Sequence, residues 1–306
     1  MRHIGVTLIV LAAGCGSEDP PGVADAPVPD APSDAKVFDP DEGGEVRVEY
    51  VRFAGGEASA RVTAFLYGDP GSTRFFRFPN TNGCTDLSSR TYWPVAQNPI
   101  GERTYLDPGK IILAGGPQIL DVARHTAEGA DEWDRTHPAG AWFSHFGGPA
   151  ADDAATYLAE KTKLDVIFAG SANLPAQIFD DVLYMPTDFA LMSPGTDDVA
   201  LPAGTPQTFT WTTPASMPPP GYEVSSHVVF TGADGPAVLC IEPDDGTLTV
   251  PTSMIDVVRA KYPTGGTLVR QLSTHVIREL VDRSGRTGQR IDFIAAWGYE
   301  TTFTVP

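Results

Sequence analysis

"RIDFIAAWGYETTFTV" (290–305) decides the fold class. Ile291, Phe293, Ala295, Trp297 and Tyr299 recur at every second position, and Asp292 and Glu300 fall between them. A period of two puts successive side chains on opposite faces of a strand, so this segment reads as a long strand with one apolar face. "EVRVEYVRF" (45–53) repeats the pattern with Val46, Val48 and Tyr50, and "ASARVTAFLYG" (58–68) continues it with Val62, Ala64 and Leu66. Shorter β-rich runs follow: "RFFRF" (74–78), "KIILAGG" (110–116), "AWFSHF" (141–146), "LDVIFAG" (164–170) and "DVLYM" (181–185). Pro and Gly clusters separate them, and long 3.6-residue periodicity is rare. The chain therefore reads as all-β, each strand burying one face as in a sandwich.

Two stretches break that pattern. "DDAATYLAEKTK" (152–163) suits a short helix or another strand. "PTSMIDVVRA" (251–260) predicts one or two helical turns, with Ser253 as cap and Asp256 three residues later. A change of segment character near Asp188 predicts two β-sandwich domains in series, 45–187 and 188–306. Each has a plausible single-core length.

The second of these, through "FALMSPGTDDVALPAGTPQTFTWTT" (189–213) and later "GTLTVP" and "GTLVRQL", resembles immunoglobulin- or fibronectin-type modules of secreted and surface proteins. The resemblance implies a sandwich with Trp211 in its core, a role in architecture, adhesion or presentation, and no shared catalytic residues.

The chain opens with Met1-Arg2-His3, then an apolar run to Ala13 that is too short to span a bilayer as a helix. Ala12, Ala13, Gly14 and Cys15 follow, and this stretch resembles the lipobox of bacterial lipoproteins. The resemblance implies a signal peptide over 1–14, cleavage before Cys15, and acylation of Cys15, with chains such as palmitate holding the protein on a membrane. Gly16 after that cysteine resembles the sorting signal for the outer membrane. It implies domains held at the cell envelope, in the periplasm or at the surface. Residues 16–44 contain six Pro, eight acids and one Lys. So polar a stretch cannot offset its ordering entropy, and it reads as a disordered, extended tether over 15–44.

The whole chain of 306 residues carries −18, and residues 45–306 carry −12. An acidic surface repels phosphate, which argues against nucleic acid as a partner. Apart from Cys15 the cysteines are Cys84 and Cys240. Export to an oxidising compartment would permit a disulfide between them, and spacing alone leaves open whether they meet.

Chemistry-bearing residues are sparse. His125, His137 and His145 cluster with Asp131, Glu132 and Asp134 in the segment 121–146. Imidazole and carboxylate are zinc ligands, but these histidines lack the i, i+4 spacing of a compact helical site. No Gly-x-Ser-x-Gly elbow is present, and no histidine lies close in sequence to Cys84. Adjacent Asp pairs at 152–153, 180–181, 197–198 and 244–245 offer oxygen ligands for Ca, without an EF-hand pattern. Arg283, Arg286 and Arg290 give one locally basic hairpin tip, and Trp133 sits among acids; both are candidate contacts for a partner. The expectation is a non-catalytic envelope protein with a binding, adhesion or scaffold role, toward an envelope protein or a glycan. The alternatives are a metal-dependent hydrolase using His125, His137 and His145, and a glycan-binding module.

Overall fold

A computed structural model describes residues 44–54, 56, 58–66, 83–88, 107–122, 142–148, 158–172, 174–187, 191–195, 198–212, 218–281 and 287–306. Sixteen strands and one helix are present among them. The expected period-two segments form β1 (Gly44–Phe53), β2 (Ala58–Leu66) and β16 (Thr287–Thr304). β1 and β16 lie side by side and parallel, with Val46 opposite Phe293, Val48 opposite Ala295 and Tyr50 opposite Trp297. Their apolar faces therefore merge, and β2 extends that face with Ala60, Val62 and Ala64.

β16 also pairs along its length with β15 (Gly266–Val281) in a long antiparallel hairpin. β12 (Glu223–Thr231), β13 (Val238–Pro243) and β3 (Gly83–Asp86) follow on that side, and β6 (Trp142–Gly148) follows β2 on the other. With β10 (Val199–Ala200) beside the end of β16, they make one nine-stranded sheet.

Two smaller sheets cover its apolar face. One is β5–β4–β7–β8, from Leu120–Val122, Ile111–Ala114, Lys163–Phe168 and Gln177–Tyr184. The other is β14–β11–β9, from Thr247–Val250, Gln207–Trp211 and Leu191–Ser193. Phe179 of the first packs on Phe293 with ring centroids 5.1 Å apart, and Phe209 of the second meets Phe230 at 6.2 Å. Trp297, 2 % exposed, stacks between Tyr50 and Tyr299 near the middle of the face. The arrangement is an all-β sandwich whose core lies between the large sheet and the two small ones.

The expected division at 187/188 is corrected here. β1, β2 and β6 precede it and β12, β13, β15 and β16 follow it, yet all hydrogen-bond into one sheet. Residues 38–306 form one compact unit. Alternation tells which face of a strand is buried, but it does not tell which strand lies beside it. Two further differences are local. The helix α1 runs Thr252–Lys261, ten residues, and its boundary residue is Pro251. Ser253 lies inside the helix and does not cap it. The Pro251 carbonyl instead accepts from the amides of Met254 and Ile255. The turn-rich surroundings of Cys84 also hide a strand, since Cys84 lies in β3 directly opposite Cys240 in β13. The two are joined by a disulfide across a separation of 156 residues, with Cα atoms 3.9 Å apart. The bond therefore staples neighbouring strands of one sheet, not two domains.

Arg270 shows how a cation is tolerated between the layers. Its guanidinium donates to the carbonyls of Pro194 (2.7 Å) and Gly195 (2.8 Å) and lies over the Phe209 ring. Burial pushes it down to about 10, so it stays charged at neutral pH. Arg270→Met would leave two inward carbonyls without donors. The expected cost is about 2 kcal/mol, read as a lower urea midpoint at unchanged slope.

Candidate functional site

The second face of the large sheet carries the unusual chemistry. On β1 the residues between Val46, Val48 and Tyr50 are Glu45, Arg47 and Glu49. Strand geometry puts these three on one face, with Arg61 of β2 opposite Glu49. Across β16 the same face carries Asp292, Ile294, Ala296 and Gly298. It continues through His275, Ser273 and Gln271 on β15 to Glu223, Ser225 and His227 on β12. Such a face normally meets water. Here Arg47, Glu49, Asp292, Gln271, Ser273 and His227 are each no more than 7 % exposed.

Burial of charge requires pairing. The Arg47 Nε donates to Glu45 at 2.8 Å, and its Nη1 donates to Glu49 at 3.0 Å. Arg61 donates to the other oxygen of Glu49. Burial alone would raise the Glu49 carboxyl, but the two guanidiniums outweigh it and hold it at about 2. For Glu45 burial prevails over Arg47, helped by the nearby charges of Asp292 and Glu49, and its carboxyl lies above the usual range. Glu49 is thus the anchored anion and Glu45 the one that takes a proton more readily.

A Ser–His pair lies three strands away, on β12. His227 Nε2 is 2.7 Å from Ser225 Oγ, and His227 Nδ1 is 3.2 Å from the Gln271 side-chain nitrogen. With the Gln271 amide in this orientation its nitrogen donates to Nδ1, which leaves the ring proton on Nε2, directed at Ser225. In that tautomer Ser225 receives a hydrogen bond, whereas an activated nucleophile would give one. Burial, with Arg47 nearby, pushes His227 down to about 3, which makes it a weak base at neutral pH. Gly298 makes room for this arrangement: a Cβ there would come within 2.8 Å of Gln271 Cβ and 2.7 Å of the Arg270 carbonyl. His275 lies between acids, its Nε2 3.5 Å from Asp292 and its Nδ1 3.7 Å from Glu223. The face is a set of internal ion pairs and hydrogen bonds.

The residues expected from sequence fall elsewhere. Cys15, His125, His137, Trp133, Arg283 and Arg286 lie outside the described residues. His145 belongs to β6, in register with Arg61. Arg290 lies near the turn of the β15–β16 hairpin, opposite Glu279. Of the expected groupings, the structure brings together Cys84 and Cys240. Among the described residues no group of three His, Cys, Asp or Glu side chains converges to hold a metal ion. Of the paired aspartates, Asp181 binds Lys163 at 2.7 Å, Asp244 accepts from the Trp211 indole at 2.8 Å, and Asp245 accepts from the Thr247 amide. Among the described residues no helix is long and apolar enough to cross a membrane. The residues missed were Arg47, Glu49, His227 and Gln271. Their signal was the polar half of each alternating strand, which looks the same whether it meets water or is covered.

No protein-family model matches the chain, and no curated protein matches it. Among solved structures it is similar to the fibronectin(III)-like modules of Clostridium thermocellum CbhA, at 11 % identity over 85 % of this chain and 93 % of that one, with a TM-score of 0.18. It is also similar to the FN1–FN3 domains of chicken CNTN1, at 9 % identity over 83 % of this chain and 66 % of that one, again with a TM-score of 0.18. The all-β sandwich stands on the strand registers and does not draw on these likenesses.

Proposed function

We propose that this chain is a lipid-anchored protein of the bacterial cell envelope with a non-catalytic binding, adhesion or scaffold role. One observation carries the non-catalytic part. The buried acids and bases of the large sheet are engaged with one another: Arg47 and Arg61 with Glu49, and His227 with Ser225 and Gln271. The anchor reading is supported by the apolar run that stops at Cys15 and by the acidic, proline-rich stretch after it. A disulfide between two strands of the sheet suits an oxidising compartment. The partner would be an envelope protein or a glycan, met by a protein held at the outer membrane. An acidic surface disfavours nucleic acid.

Two measurements test this. Expressed in full in a Gram-negative host, the protein is expected to yield a mature N-terminus at Cys15 whose mass includes acyl chains, with Cys15→Ser retaining its leader. An unmodified thiol at position 15 in the mature chain would remove the anchor. The purified protein is expected to contain far less than one zinc per chain. Stoichiometric zinc with hydrolysis of an ester or peptide probe would overturn the non-catalytic role.

A further inference from the structure

Among the described residues β3 is the outermost strand of the large sheet on its side and pairs four residues, Gly83–Asp86, with Val238–Ile241 of β13. Three fasteners hold it there. Cys84 is bonded to Cys240. The Leu87 amide donates to the Ala237 carbonyl at 2.7 Å. The Leu87 side chain covers Leu239 and Ile241, with Val229 beside them, in an apolar cluster separate from the main core. Asp86 closes the following turn by accepting from the amide and hydroxyl of Ser88. Gly83, Thr85 and Asp86 supply no large apolar group, so the disulfide is the main covalent and steric hold on this strap.

The edge beneath the strap has defined chemistry. A Cα separation of 3.9 Å marks Cys84–Cys240 as a close, non-hydrogen-bonded antiparallel pair. The ladder bonds to β3 then belong to Leu239 and Ile241, whose backbone groups point outward, while Val238 and Cys240 bond back to β12. Val238–Ile241 is apolar on both faces, and the charge and proline of β13, Glu242 and Pro243, are confined to its C-terminal end.

We propose that residues 83–88 are a disulfide-latched strap over a homotypic docking edge: once the bond is opened, β13 pairs with β13 of a second copy of this chain. The geometry selects that occupant. Antiparallel pairing about a two-fold axis through Cys240 sets Leu239 of one copy opposite Ile241 of the other, so the outward backbone groups meet as they now meet β3. Cys240 then faces Cys240 in the same kind of close pair it now forms with Cys84. Glu242 falls opposite Val238, so like charges do not oppose one another.

The redox steps balance. A dithiol reductant attacks one sulfur of Cys84–Cys240 as thiolate, and its second thiol resolves the mixed disulfide. Two protein thiols and one cyclic disulfide result, with two electrons transferred. Oxidised glutathione then converts two Cys240 thiols into one intermolecular disulfide and two reduced glutathiones.

The test uses the full chain carrying Cys15→Ser, which removes the third thiol, with and without Cys84→Ser. Light scattering is expected to show a monomer with Cys84 present and a dimer with Cys84→Ser. In dilute Cys84→Ser protein the Leu239 and Ile241 amides are expected to exchange at least about ten-fold faster than in the bonded chain, with Val238 and Cys240 unchanged. Oxidised glutathione is expected to give a Cys240–Cys240 cross-linked peptide. A monomer at about 100 µM, far above a typical specific dissociation constant, would overturn the proposal. So would equal acceleration of all four amides, which reports loss of the sheet rather than release of a strap. If Cys84→Ser does not fold, light scattering and amide exchange on the Cys15→Ser chain reduced in place with dithiothreitol decide between these outcomes.

Discussion

Acidification from neutral pH to pH 4 is expected to cost the fold roughly 3 kcal/mol through His227 alone. His227 is buried as the neutral ring and takes a proton only at about 3, against 6.5 in an exposed chain. Between those values the unfolded chain binds more protons than the native one, so stability falls as pH falls and the loss is complete near the folded value. Glu49 adds a loss of the same sign at lower pH. Its folded value of about 2 lies below the ordinary 4.5, so its contribution is present above 4.5 and disappears as pH falls toward 2. The net negative charge of the chain relaxes on acidification and works in the other direction. The decisive reading is therefore a difference. Urea midpoints at pH 7 and pH 4 are compared for the native protein and His227→Gln, which keeps a donor toward Ser225 and an acceptor toward Gln271. The variant is expected to lose most of the pH dependence between 4 and 6.5. An unchanged limb would mean that His227 is not held neutral.

Arg47→Met is expected to cost about 3–5 kcal/mol, because it strands two carboxylates that share one guanidinium. Glu49 would retain Arg61, whose side chain is 42 % exposed, and Glu45 would be left beside Asp292. The triple variant Glu45→Gln/Arg47→Met/Glu49→Gln is expected to be more stable than Arg47→Met alone, since it removes the uncompensated charge with the pair. Urea unfolding of the single and triple variants checks both statements. A loss below about 1 kcal/mol for Arg47→Met would place the network in an environment no different from the surface.

Much of the strand content was open to reading from the amino-acid order. Val46, Val48 and Tyr50, then Ile291, Phe293, Ala295 and Trp297, announce two strands and the side on which each is apolar. That these strands are parallel neighbours is a tertiary fact, because residue 45 finds its partner at residue 292 and nothing local marks the pairing. The same limit produced the expected boundary at 187/188, where a change of local character does not interrupt the sheet. The polar face was illegible for a different reason. Glu45, Arg47 and Glu49 have the spacing of a wet strand face, and only three-dimensional placement reveals that their charges are taken up by one another and by Arg61. Cys84 was hidden because four residues that open on Gly83 after Asn82 carry too little pattern to register as a strand. The histidine cluster at 125, 137 and 145 and the arginine tip retain their standing as sequence readings, since the residues that would complete them lie largely outside those described.

The parallel contact of β1 with β16 also sets when this protein can become itself. A polypeptide that emerges from a ribosome delivers Val46, Val48 and Tyr50 long before Phe293 and Trp297. These strands must wait, greasy side uncovered, until residues 287–304 have been made, and closure over such a distance is slow. Nascent chains halted before residue 287 should stay sticky and protease-sensitive, whatever their length.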